Sequence, residues 1–139
     1  MSGIKRVATV ILKKDDKILI LKRSNKVSSF QGRWSGVSGE IKKNEEPAEA
    51  AIRELREETG IEAVKDELIS ADRPIIVTEG ERVWKVYPFL LRVVSETISI
   101  EWEHDKYEWI KPCELQNYEL VPRLDEVVRS LLSKENTQR

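Results

Sequence analysis

Pro47-Ala48-Glu49-Ala50-Ala51-Ile52-Arg53-Glu54-Leu55-Arg56-Glu57-Glu58-Thr59-Gly60 decides how the rest of this chain is read. Pro47 suits a first helical turn, where its missing N–H costs nothing, and Gly60 suits the residue after the last turn. The spacing therefore predicts a helix over 47–59. At about 100° per residue, with Glu54 set at zero, Glu57 lies about 60° to one side and Glu58 about 40° to the other. Three carboxylates share a face, and Ala48, Ala51, Ile52 and Leu55 are expected on the opposite face, packed on a sheet. Like charges at these spacings cost roughly 0.2–0.5 kcal/mol per pair. They also crowd the C-terminal half of the helix, where the macrodipole disfavours anions. A hard divalent cation would offset both. A bare Glu-x-x-Glu-Glu is more often a solvated face. Arg53, four residues before Glu57, has the spacing of an ion pair that also orients that carboxylate.

Before the helix, Arg6–Leu12 and Lys17–Lys22 are β-branched-rich runs that read as two strands joined at Lys13-Lys14-Asp15-Asp16. Ser24–Ile41 has no periodicity and reads as a long loop carrying Trp34, and a long loop with aromatic residues points to function. After the helix, strands are expected at Pro74–Thr78 and Val83–Val94 around the turn Glu79-Gly80-Glu81. Short extended segments follow at Thr97–Ile100 and Tyr107–Ile110. A second helix is expected from near Pro122 through Leu132, with Leu124, Val127, Val128, Leu131 and Leu132 on its apolar side. Residues 134–139 read as a frayed tail. Strands around one central helix, with another helix at the end, imply an α/β/α sandwich with a mixed sheet, in a single domain over 1–139.

The chain has 139 residues, 40% hydrophobic and 35% charged, with 24 Lys+Arg against 25 Asp+Glu and a net charge of −1. A balance of that kind offers no field for a polyanion or an anionic membrane, so nucleic acid is not the default partner. One cysteine, Cys113, excludes an intrachain disulfide, and with a single histidine no thiolate or imidazole zinc site can be assembled. A reducing compartment and a cytoplasmic, soluble protein are expected. No apolar run approaches the roughly 20 residues of a membrane helix.

The wider stretch 39–61 resembles the Nudix box, G-x5-E-x7-R-E-U-x-E-E-x-G-U, where U is a bulky aliphatic residue. Gly39, Glu45, Arg53, Glu54, Leu55, Glu57, Glu58, Gly60 and Ile61 all match it. The order of elements follows the MutT-like branch over nearly the whole chain. Val37-Ser38-Gly39 stands where many members have Pro-Gly-Gly, and Asn44 stands where a glycine often precedes the first box glutamate; Asn tolerates a left-handed backbone.

The resemblance implies a Nudix-type α/β/α sandwich and Mg²⁺-dependent hydrolysis of a diphosphate linkage in a nucleotide, with Mn²⁺ able to substitute. Glu57 and Glu58 would hold metal, with the Gly39 carbonyl as a further ligand. Glu54 would be a ligand or the base that activates water. Glu45 would support the metal shell and Arg53 orient the acidic face. Glu103, six residues before Trp109, is a further candidate ligand or base, with Glu101 as its competitor. Arg23, Arg33 and Trp34 are candidate substrate contacts, since a guanidinium matches phosphate bidentately and an indole can stack on a base; Tyr87 and Trp109 are equally open to packing. His104 reads as a surface or hydrogen-bonding residue and Cys113 as a small buried apolar one. The preferred substrate is a (deoxy)nucleoside triphosphate, giving monophosphate and pyrophosphate. ADP-ribose, nucleotide sugars, dinucleoside polyphosphates and RNA 5′ ends stay open, as do a silent nucleotide-sensing domain and a homodimer.

Overall fold

In the computed structural model, residues 3–71, 73–100 and 104–137 are described. The strands are β1 (Ile4–Lys14), β2 (Lys17–Arg23), β3 (Trp34–Ser35), β4 (Val37–Glu40), β5 (Ile69–Ser70), β6 (Ile75–Glu79), β7 (Arg82–Arg92) and β8 (His104–Ile110). Two α-helices accompany them, α1 (Pro47–Thr59) and α2 (Leu124–Thr137). All eight strands join one mixed sheet, organised around β1. Ile4–Lys13 of β1 run parallel to Val83–Arg92 of β7, whereas β2 and β4 pair with β1 antiparallel.

Alternation along β1 and β7 gives the sheet two apolar faces, and each takes a helix. Ala8, Val10 and Leu12 of β1 join Phe89 and Leu91 of β7 against Ala50, Ala51 and Leu55 of α1. Ile11 and Leu90 point the other way, onto Leu124, Val127, Val128 and Leu131 of α2. The layers are those of an α/β/α sandwich with a mixed sheet between the helices. No helix among the described residues is long and apolar enough to cross a membrane.

Three expectations need correcting. The segment 24–41 is not one loop, because it returns to the sheet twice. Leu21 and Lys22 pair with Ser35 and Trp34, and Val37–Glu40 pair with Val10–Val7. Its Ser and Gly residues carry little intrinsic strand preference, so tertiary pairing and not local pattern extends them. The segment Thr97–Ile100 forms no strand, although Ile98 and Ile100 pack against the first core cluster. The tail is not frayed at 134, since α2 continues to Thr137. Glu135 explains the extension. Its side chain is 2% exposed and accepts from Lys13 Nζ at 2.7 Å and Arg92 Nε at 2.6 Å, which ties the last turn to β1 and β7.

Candidate active site

Helix α1 begins after Glu46, whose N–H donates to Glu49 Oε1 at 2.9 Å, and ends at Gly60, which takes φ +77° as the left-handed cap. Its orientation on the sheet differs from the one expected. The buried residues are Ala50, Ala51, Glu54, Leu55, Glu58 and Thr59, so two of the three carboxylates sit on the packed face, not opposite it. Glu54 is 8% exposed and Glu58 3%, while the Glu57 side chain keeps 52%. Room for Glu54 comes from β4: a Cβ at Gly39 would collide with the Glu54 carboxyl group. Only glycine lets that carboxylate lie directly against the strand.

Arg53 organises this edge. Its Nε donates to Glu45 Oε2 at 2.8 Å and its Nη2 to Glu45 Oε1 at 2.9 Å, a bidentate fork. Nη1 donates to Glu54 Oε1 at 2.6 Å, and Nη2 also reaches the Glu40 carbonyl at 2.9 Å. Glu57, the partner expected from the i,i+4 spacing, also forms an ion pair with Nη1, at 3.6 Å and longer than the contacts to Glu45 and Glu54. The fork brings the Glu45 carboxyl down to about 2, aided by the Lys42 N–H, and raises Arg53 further above its ordinary value. Asn44, just before Glu45, takes φ +67°, the left-handed conformation that its side chain tolerates. Ser38 keeps β4 regular and shares a 2.8 Å hydrogen bond with the Thr9 hydroxyl.

His104 is buried, not a surface residue. Its Nδ1 is 3.7 Å from Glu58 Oε1, longer than a hydrogen bond. Burial, with the positive charge of Arg23, pushes its ring down to about 4, so the imidazole is neutral near pH 7. Cys113 is exposed, not buried. It lies in the short helical turn Pro112–Asn117, which buries Leu115 in its place. Glu103 and Glu101 lie outside the described residues.

Among the described residues, no three His, Cys, Asp or Glu side chains are gathered at metal-binding separation. The donors at hand, the carboxylates along α1 and the backbone of Gly39, are hard oxygens. They suit a cation that keeps water and phosphate oxygens in its shell better than one enclosed in a protein cage.

A cavity of about 240 Å³ opens on the part of the sheet that α2 leaves uncovered. Val7 and Thr9 of β1 and Val86 of β7 line it, and Ser38, Gly39 and Glu40 carry it to the strand on which Glu54 rests. Phe30 and Trp84 add two aromatic rings with centroids 5.3 Å apart. Arg23 lines the cavity, and its Nε donates to the Ser29 carbonyl at 2.9 Å. Arg33 stands 5.9 Å from the Phe30 ring centre. Of the three expected substrate contacts only Arg23 lines the cavity; Arg33 is exposed outside its lining, and Trp34 is turned away from it. Trp34 is 8% exposed and packs edge-on against Tyr118 in the second core cluster, because β3 turns its indole into the α2 face. Tyr87 and Trp109 pack against the first cluster. Phe30 and Trp84 had no sequence signal beyond their type: one lies in an aperiodic segment, the other in a strand whose two faces are both partly covered.

The NUDIX domain family model matches residues 4–131. The chain belongs to the Nudix family. This Nudix hydrolase is 29% identical over 116 residues to the CTP pyrophosphohydrolase of Escherichia coli (strain K12), which covers 84% of this chain and 82% of that one. It is 32% identical over 125 residues to the RNA pyrophosphohydrolase of Pelagibacter ubique, covering 80% and 76%. The crystal structure of the MutT protein from Methanosarcina mazei Go1 superposes with a TM-score of 0.77 at 19% identity, covering 99% and 97% of the two chains.

Proposed function

We propose that this Nudix hydrolase cleaves a diphosphate linkage in a nucleotide with a divalent cation, Mg²⁺ by preference and Mn²⁺ in substitution. The favoured substrate is a (deoxy)nucleoside triphosphate, released as monophosphate and pyrophosphate. The observation that carries the proposal is the contact of Gly39 with Glu54: a strand position without a side chain brings a carboxylate to the backbone that lines the cavity. Glu57, Glu58 and the Gly39 carbonyl would hold the cation, with Glu54 as a further ligand or the base for water. Glu103, beyond the described residues, is a further candidate for either role. When bound, the cation would neutralise phosphate charge and lower the pKa of a bound water.

The chain's own residues do the positioning. Arg53 holds Glu54 in place through Nη1, and Glu45 fixes Arg53 by closing the bidentate fork. A base at Glu54 needs such a fixed orientation toward the attacking water. Partial burial keeps competing water from the carboxylate, while exposed Glu57 leaves the site open to an incoming phosphate. A cavity of 240 Å³ is small on the scale of ligand sites and fits one nucleoside better than the two of a dinucleoside substrate. The names of two relatives, a CTP pyrophosphohydrolase and the nucleoside triphosphatase NudI, support the same class. The test is a hydrolysis screen over nucleoside triphosphates, nucleotide sugars, ADP-ribose and 5′-triphosphorylated RNA, with Mg²⁺ and with EDTA, in ¹⁸O-water to locate the attacked phosphorus. Turnover that survives EDTA, or no turnover of any diphosphate, would overturn it.

A further inference from the structure

We propose that Phe30 and Trp84 are the residues that bind the base of the nucleotide, packing it along the surface their two rings present to the cavity. The inference rests on the nucleotide reading above and extends it to residues outside the box.

Neither ring belongs to a hydrophobic core cluster, although both are large aromatics. Both are half-buried and line the same cavity that reaches Gly39. Apart from each other, their ring partners are two guanidinium groups, Arg82 at 5.0 Å from the Trp84 ring centre and Arg33 at 5.9 Å from that of Phe30, which leaves the cavity-facing surface of the pair open. Trp34 shows what a packing tryptophan looks like in this chain, buried in the α2 face against Tyr118.

The backbone at Phe30 supports the same conclusion. Its φ is +50°, a left-handed conformation that a bulky side chain rarely adopts and that costs energy to hold. The surrounding loop enforces it. Gly32 N–H donates to the Arg23 carbonyl at 2.9 Å, Arg33 N–H to the Phe30 carbonyl at 3.2 Å, and Arg23 Nε to the Ser29 carbonyl at 2.9 Å. The strain places a ring beside Trp84, with the planes tilted by 51°. At 5.3 Å the rings touch each other, so a base does not slide between them. It lies against their shared cavity surface, where stacking is tolerant of base identity but requires a flat ring. The recognised ligand class is therefore a nucleotide, with the base indispensable and the sugar phosphate alone insufficient.

The test is calorimetric titration of the full chain in EDTA with AMP, GMP, CMP and UMP, and with ribose 5-phosphate as the baseless control. Wild type should bind at least one nucleoside monophosphate at least tenfold more tightly than ribose 5-phosphate. Phe30→Gly and Trp84→Leu should each weaken that binding roughly tenfold to a hundredfold, the range set by base–aromatic stacking. Trp84→Phe, which keeps a ring, should hold affinity within a few-fold. Phe30→Gly should melt no lower than Trp84→Leu, because glycine relieves the left-handed backbone. Equal binding of ribose 5-phosphate, no binding of any nucleoside monophosphate, or wild-type affinity in Trp84→Leu would each overturn the inference. These outcomes are independent of turnover. A protein that hydrolyses diphosphates but shows them keeps its proposed function and loses this assignment, whereas base binding without any hydrolysis does the reverse.

Discussion

Replacing Glu45 by Gln keeps the shape of the side chain and removes the charge that faces Arg53. The size of the effect follows from the acidity of the carboxyl, which falls from 4.5 to about 2 in the folded chain, chiefly through the Arg53 hydrogen bonds. At about 1.4 kcal/mol for each tenfold change, the full depression corresponds to about 3 kcal/mol. Glu45 and Arg53 keep 15% and 16% side-chain exposure, and solvent screening at this rim reduces the figure to about 1–2 kcal/mol. The sign is fixed by linkage. A depressed carboxyl stabilises the fold fully above its unfolded value, near 4.5, and the contribution disappears as pH falls toward 2. Urea unfolding of wild type and Glu45→Gln at pH 7, 5 and 3 should give a gap of about 1–2 kcal/mol at the two higher values and a smaller one at pH 3. Turnover should also fall, because Arg53 then holds Glu54 less firmly. A gap that stays constant from pH 7 to pH 3, or widens on acidification, would refute the claim that the charged fork is what the substitution removes.

Gly39→Ala should cost about 1–3 kcal/mol of stability, as overpacking does, and lower turnover by displacing Glu54; thermal melts and pyrophosphate release report the two effects. Wild-type turnover in that variant would mean that Glu54 works equally well elsewhere. Glu57→Gln should lower turnover at least a hundredfold while changing stability by less than about 0.5 kcal/mol, as expected for a half-exposed side chain. Glu135→Ala should show the opposite pattern, losing about 1–3 kcal/mol, chiefly because Lys13, at 15% exposure, loses its buried partner while the more exposed Arg92 can turn to solvent, with kcat close to wild type. An unchanged urea midpoint would show that the last turn of α2 contributes nothing.

Helix α1 was legible to the residue because Pro47 and Gly60 punctuate it chemically, independent of what surrounds it. The Nudix box was legible for a related reason: its glutamates, arginine and glycines serve local chemistry at fixed spacing. What the helix faces was not. The wheel placed Glu54 and Glu58 away from the sheet, since charge argues for water, yet Gly39 lies in the neighbouring strand and opens a slot that no helical periodicity encodes. The same limit hid β3 and β4, whose Ser and Gly residues are held extended by pairing with β2 and β1. Trp34 and Phe30, four residues apart, show the limit most sharply. Both are aromatic residues in one aperiodic segment; the backbone turns one into the core and the other, against its own preference, into the cavity.

Strand β1 serves both sides of the molecule. Its Ala8, Val10 and Leu12 form the bed for α1, and its intervening Val7 and Thr9 form part of the cavity floor. Sliding it by a single residue would exchange these two sets, putting cavity residues under the helix and helix-bearing residues in the ligand's path. Evolution can therefore change the ligand's surroundings through the loop around Phe30 far more cheaply than through β1. In amide-exchange experiments the protons of this strand, clamped along ten positions by β7, should be among the last to leave.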